Sequence, residues 1–456
     1  MNNLSKTANN AIQYKGTLSK CLDLFAGIGA MRHQNVDTVI SIFKEALHEN
    51  IELSLKILFW ARSCRGGAGE RLTFKVILEH VCDVYPEFVV QNIPNIVKYG
   101  YWKDLVRFTE SDVPDNIRNA IVNVWSNNIA LEDRLACKWA PRKGELAKLL
   151  KQRLNLTWKA YRHDLKESSS TVEQVMCNES FSDIEYQHVP SIAMVKYNKA
   201  FKKKDEQRFN EFVSSKDTKV NVSVLYPHDV FKSMHDNVEL SDKQWKALPD
   251  YIAEGENILP MSDVSGSMSS GESPEPMEVS IALGLYLSER NKGKFKNKIM
   301  TFSASPEFFD VDPEWSILEK YQRVKRANWD MNTDFEKAYM LILDTGISYN
   351  VPQENMPTMI LVLSDMQFDE ASSQSSHFEN MHDKFKSHGY KLPKIVFWNL
   401  NHYHNGFPAT SEDDRVALVS GYSPALMESV LACEKFDPIN VMMEAVKDIK
   451  LTFPEV

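Results

Sequence analysis

Apolar positions along this chain follow two different periods, and the change from one to the other falls near residue 257. In the first part, SLKILFWARSC (54–64), LTFKVILEHVCDVY (72–85), PNIVKYGYWKDLVRF (94–108), NAIVNVWSNNIA (119–130) and GELAKLLKQRLNLTWKAYRHDL (144–165) space their apolar residues as a helix does. Side chains at that spacing share one face, so these stretches predict amphipathic helices, the second ending before Pro86. Short connections without a strict repeat predict a solenoid of divergent helical hairpins over residues 1–220.

Residues 221–256 read as a connection between two units. KVNVSVLYPHDVFK is strand-like or extended as it runs into Pro227, and LSDKQWKALPDYIAEGEN is helix-like and then turns. From residue 257 the texture becomes an alternation. ILPMSDV, NKIMTFSASPEFFDV, MPTMILVLSDMQF, PKIVFWNLN and RVALVSGYS read as strands; MEVSIALGLYLSER, SILEKYQRVKRAN, FEKAYMLILDTGI, SHFENMHDKFKSHGY and PALMESVLACEKF read as helices. Strands that are apolar at every position are buried on both faces. Residues 257–456 therefore predict an open, mostly parallel, Rossmann-like sheet with helices on both sides. The expected fold class is α followed by α/β.

Composition adds constraints. The chain has 456 residues, 43% hydrophobic and 25% charged, as in a soluble globular protein. No run reaches the roughly 18 apolar residues of a membrane span, and MNNLSKTANNAIQYKG has no apolar signal core, so a cytoplasmic protein without a membrane partner is expected. The six cysteines form no CxxC pair, which argues against a disulfide framework and a structural zinc site. The net charge of −9 is unevenly spread: residues 1–220 carry +6 and residues 221–456 carry −15. The basic half suits a polyanion; the acidic half does not.

The chemistry concentrates where the predicted strands end. In an open α/β sheet, ligands bind beyond the carboxyl ends of the strands. ENILPMSDVSGSM puts Asp263, Ser265 and Ser267 at one such end, MILVLS is followed by Asp365, and the loop NWDMNTDFEKAY offers Thr333 before a helix. These are short, oxygen-bearing side chains, with no His or Cys. Such a set suits a hard divalent cation, Mg2+ or Mn2+, which takes octahedral oxygen ligands. Hydroxyls add no charge, so an ion held by two carboxylates keeps an appetite for an anionic group.

DVSGSM, the Thr333 loop and Ser364–Asp365 resemble the metal-ion-dependent adhesion site of a von Willebrand factor type A domain. That resemblance covers roughly residues 257–456 and implies that Asp263, Ser265, Ser267, Thr333 and Asp365 hold the ion. More widely, WARSCRGGAGER, YGYWKDLV, LACKWAPRKG, VPSIAM, WDMNTDF, LVLSDMQFDEA and IVFWNLN are similar to an uncharacterised branch, carrying a domain of unknown function, of the group that pairs a TROVE-like helical region with a type A domain, as in the Ro autoantigen. The resemblance implies a ring of HEAT-like helices that binds RNA ends in its hole and structured RNA on its outside.

Residues 134–163 hold nine Lys and Arg against one acid, Glu145, with Trp139, Trp158 and Tyr161 interleaved. Cations neutralise phosphates and aromatic faces stack on unpaired bases, so Lys138, Trp139, Arg142, Lys143, Lys148 and Lys151 are candidate RNA contacts. The alternative is the solvated face of a helix whose core stripe is Leu149, Leu150 and Leu154. Arg65, Gly66, Gly67, Gly69 and Arg71 lack a Walker pattern and do not follow a strand; they read as a helix-to-helix turn, with Arg65 and Arg71 as candidates to face a channel. His402 and His404 sit in a polar loop and make a poor ligand pair. No HExxH or GxSxG occurs and the serines have no evident His partner, so no enzyme is expected. The leading expectation is a ribonucleoprotein component that binds structured or single-stranded RNA and docks a protein partner's carboxylate on the metal. The alternative is a scaffold that uses the metal site for assembly without nucleic acid.

Overall fold

The computed structural model describes residues 3–6, 12–109, 113–269, 271, 274–327, 334–366, 375–401 and 406–454. A small antiparallel pair, β1 (Leu4–Lys6) and β2 (Ile12–Tyr14), precedes a long helical region. From residue 258 follow β3 (Ile258–Ser262), β4 (Lys298–Thr301), β5 (Phe308–Asp310), β6 (Met359–Ser364), β7 (Lys394–Asn399) and β8 (Val416–Ser420). They form one six-stranded sheet in the order β5-β4-β3-β6-β7-β8, parallel except for β5, which runs antiparallel to β4. The class is thus α plus α/β.

The sheet's two faces are read directly from the alternation of its side chains. Leu259, Met261, Ile360, Val362, Ile395, Phe397, Val416 and Leu418 pack into a core with helices Phe335–Ser348 and Ser375–Ser387. Ile258, Met359, Leu361, Leu363, Val396, Trp398, Ala417 and Val419 join a larger core that continues through the helical region, from Cys21 to Ile449. Period-two alternation between two covered faces explains why the strands are apolar throughout.

Several sequence expectations resolve differently. NKIMTFSASPEFFDV is a hairpin, β4 and β5, and not one strand. GELAKLLKQRLNLTWKAYRHDL is two helices, Glu145–Arg153 and Trp158–Ser169, because Asn155 adopts φ +53° and turns the chain between them. FKKKDEQRF (201–209), whose run of charges reads as one solvated helix, also breaks, at Asp205, and its Phe201 and Phe209 are fully buried, so only one side of it is solvated. In KVNVSVLYPHDVFK there is no strand; Pro227 opens helix Pro227–Met234, where its missing N–H costs nothing.

Residues 221–256 are more than a tether. Helices Pro227–Met234 and Val238–Ala247 lie against helices Pro276–Ser288 and Ile317–Arg326 of the sheet unit. Helix Pro276–Ser288 is buried on nearly its whole circumference, which explains its lack of a polar face. It approaches β3 at Gly284, where a Cβ would stand 2.3 Å from Ser262 Oγ. At the far edge, helix Lys20–Ile28 covers β8. Gly29 N donates to Ser420 Oγ at 2.9 Å, and Ser420 Oγ donates to the Phe25 carbonyl at 3.0 Å. The C-terminal segment docks in turn on helix Pro86–Tyr99, with Asn92 exchanging two hydrogen bonds with the Thr452 backbone.

His228 lies inside this junction, 4% exposed, its ring 5.6 Å from those of Tyr226 and Tyr422. Burial pushes its pKa down from 6.5 to about 4; Asp229 pulls the other way, and Lys232 and Arg32 add to the fall. A folded-state value below the unfolded one means that the unfolded chain binds the extra proton between those limits. The contribution is complete above pH 6.5 and is lost as pH falls toward 4. Urea unfolding at about pH 7.5 and about pH 5 should therefore show wild type losing on the order of 2 kcal/mol that His228→Gln does not lose.

Candidate functional site

The strand order reverses between β3 and β6. The chain leaves β3 toward β4 on one side and leaves β6 toward β7 on the other, which opens a crevice at their carboxyl ends. Asp263 follows β3 and Asp365 follows β6, 1% and 3% exposed. The β3–β6 pairing continues one step past the strand: Asp263 N donates to the Leu363 carbonyl at 2.9 Å. Ser364 Oγ donates to Asp263 Oδ2 at 2.7 Å and accepts from Met366 N at 3.1 Å. Met366 has φ +65°, so the chain turns sharply just after Asp365. On the other oxygen, Ser265 N donates to Asp263 Oδ1 at 2.9 Å, which folds the DVSGS turn back over the carboxylate. Ser265 Oγ and Ser267 Oγ stand 3.0 Å apart.

Burial first, and then the negative charge of Asp365, push the Asp263 carboxyl up to about 6 against the opposing hydrogen bonds from Ser265 and Ser364. Two buried carboxylates facing one crevice, beside two close hydroxyls, form an oxygen donor set that is electrostatically strained without a cation. Those residues fit a hard divalent ion. Among the described residues no group of three or more His, Cys, Asp and Glu could hold a metal, so any ion here relies on carboxylates and hydroxyls together.

Asp263, Ser265, Ser267 and Asp365 are therefore gathered at one rim. Thr333 lies outside the described residues, as do His402 and His404. Asp334, which follows Thr333, caps helix Phe335–Ser348, and its backbone N–H donates to the Ser303 carbonyl at 3.4 Å, just beyond β4. Sequence reasoning placed Ser364 in the motif but not its role, a hydroxyl that orients Asp263, and it missed Asn399 and Asn401 at the end of β7, which are 6% and 2% exposed. The signal was present as polar residues interrupting apolar strands at their carboxyl ends.

The basic candidates divide. Arg142 bonds within the protein: its Nη1 donates to the carbonyls of Lys138 and Ala140 at 2.8 and 2.6 Å, closing the short helix Arg134–Trp139. These bonds engage Nη1 alone; the half-buried guanidinium keeps Nε and Nη2 for other acceptors, so Arg142 closes the helix without being withdrawn as a candidate RNA contact. Lys148 lies 3.7 Å from Glu145, and Lys138 lies 3.7 Å from Glu173. Lys143 is exposed; Lys151 lies over the Trp158 ring at 5.6 Å, with Arg162 at 5.5 Å from the same ring. Arg65 and Arg71 are exposed. They sit on a loop that lies against the end of β8, where a Cβ on Gly421 would come 2.7 Å from Ala68 Cβ. Within the same loop Glu70, 2% exposed, pairs with Arg32 at 2.6 Å, and Arg32 stacks on Tyr422 at 3.7 Å.

This chain thus combines a helical region with a doubly wound α/β unit that carries paired acids at its switch point. Residues 7–145 and 116–257 match the domain of unknown function DUF2828, together more than half of the sequence, and the chain belongs to that family. Residues 257–451 match a second domain of unknown function, DUF7788. The chain is also similar to the uncharacterized protein L728 of Acanthamoeba polyphaga mimivirus, 26% identical over 514 aligned positions that cover 98% of this chain and 88% of that one. Among the described residues no helix is long and apolar enough to cross a membrane.

Thermal unfolding tests the acid pair. Millimolar Mg2+ should raise the Tm of wild type, and Asp263→Asn should abolish that rise without lowering the Tm measured in EDTA, since it removes a like-charge contact. An equal Mg2+ response in both proteins would remove the site from consideration.

Proposed function

We propose that this chain is an RNA-binding protein of the ribonucleoprotein type, whose α/β unit is a type A domain holding Mg2+ or a similar hard divalent cation. Asp263, Ser265, Ser267, Thr333 and Asp365 are the ligands, directly or through water. When bound, the ion supplies a Lewis-acidic point for docking an anionic group, such as a partner's carboxylate. The residues of the chain do the rest. Ser364 and Ser265 N–H hold the Asp263 carboxylate in place, and the buried β3–β6 ladder fixes both acids on one rim.

The observation that carries the reading is the pair of buried acids at the order reversal of a sheet whose strands run, in their own sequence order, 3-2-1-4-5-6 with the third antiparallel. Among the described residues, Ser265, Ser267 and Ser364 bond to Asp263, to Met366 N and to one another and not to a histidine, which favours docking over nucleophilic chemistry. The helical region is taken as HEAT-like and as the RNA-contacting part. Its support is the exposed Lys143, Arg65 and Arg71 and the half-buried Lys151 on a half of the chain that carries +6.

A second reading, a scaffold without nucleic acid, is favoured by one observation: Arg142, Lys138 and Lys148 all have partners within the protein. The two readings separate on the purified full chain. RNA binding should weaken as salt rises, and Lys143→Ala with Lys151→Ala should reduce the slope of log K against log salt by roughly 1 to 2, at about 0.7 per lost phosphate contact. An absorbance spectrum free of nucleic acid, with no RNA affinity at low salt and assembly that still needs Mg2+, would establish the scaffold instead.

A further inference from the structure

Tyr101 and Trp139 come from distant parts of the chain and meet edge to face, ring centroids 5.6 Å apart at 89°. Four cations surround them. Lys103 and Lys138 Nζ lie 4.6 and 5.3 Å from the Trp139 ring, and the Arg71 and Arg62 guanidinium carbons lie 4.9 and 5.4 Å from the Tyr101 ring. Both rings are half-buried, while Lys103 and Arg71 are exposed. The base of the cluster is rigid: Arg62 Nε donates to Asp104 Oδ2 at 2.7 Å, both side chains being buried, and Tyr101 N donates to the same oxygen at 3.2 Å. Gly100 leaves room for this, since a Cβ there would stand 2.3 Å from Asp104 Oδ2.

We infer that Tyr101 and Trp139 form a stacking site for an unpaired base of single-stranded RNA, with Arg71, Lys103 and Lys138 taking the phosphates on either side. The inference rests on the RNA reading above and names which part of the nucleic acid this surface takes. A ring face accepts any base, and only unpaired bases expose theirs. A solvent-exposed cation–ring contact is weaker than a stacked base, so an arriving base displaces an ammonium from Trp139 and the ammonium moves to the neighbouring phosphate. An acidic peptide would use the cations and leave the rings idle. Arg71 closes the glycine-rich loop that touches β8, so the stacking site borders the carboxyl rim of the sheet.

The test is fluorescence anisotropy on the full chain with a labelled oligoadenylate of about a dozen nucleotides, a duplex RNA of equal length, and polyglutamate. Trp139→Ala and Tyr101→Ala should each weaken the single strand about tenfold or more, leave the salt slope unchanged and leave the duplex within about twofold. Trp139→Phe should restore most of the loss, and Lys103→Ala should lower the salt slope by about 0.7 with little change in base preference. Should Trp139→Ala unfold, as circular dichroism would reveal, Tyr101→Ala still decides the matter through its single-strand loss against an unchanged duplex. Salt-dependent RNA binding that is indifferent to both ring substitutions, or that falls equally for duplex, overturns the stacking site alone. Polyglutamate bound as tightly as RNA also overturns it. No RNA binding at low salt overturns the RNA reading and the stacking site with it.

Discussion

The parallel pairing of β3 with β6 is the constraint on which the molecule's chemistry depends. Its register, Ser262 opposite Leu363, brings Asp263 level with Ser364 and leaves Asp365 one step beyond. Both acids are then withdrawn from water, where their mutual repulsion is felt at low dielectric. Neither side chain would be unusual on a solvated loop. Held by a buried ladder, they become a position that calls for positive charge.

The same sheet organises the helical region. One face packs on two helices of its own unit; the other provides part of the larger core into which the helical region builds. Helix Lys20–Ile28, from the beginning of the sequence, covers β8, and residues near 450 return to helix Pro86–Tyr99. The two parts therefore share apolar surface that neither would bury alone, and the glycine-rich loop 65–71 is fixed against β8 by contacts at Gly421 and Tyr422. Basic loop and acidic crevice thus stand on elements of one continuous core.

Buried polar groups mark where the apolar packing is interrupted for a purpose. Arg62–Asp104 anchors Tyr101, Arg32–Glu70 anchors the glycine-rich loop, and Ser364 anchors Asp263. Each removes a charge or hydroxyl from the surface and fixes the position of a neighbouring group. A buried ion pair adds little net stability over an apolar one, so its value here is positional.

The linear order of residues determined the elements and the acid positions. Continuous apolar runs meant strands covered on both faces, and Asp263 and Asp365 directly after such runs had to lie at carboxyl ends. Helix breaks were less legible: Asn155 and Asp205 interrupt stretches whose apolar spacing looks unbroken, because a single left-handed or capping residue turns the chain without disturbing the pattern. Tertiary structure alone decided which cations bond within the protein. Arg142 and Lys143 are adjacent and alike in sequence, yet one caps a helix and the other faces water, since carbonyls that close a short helix are located by folding and not by neighbours in the chain. It also decided that Tyr101 meets Trp139, a contact between distant segments that no local periodicity encodes.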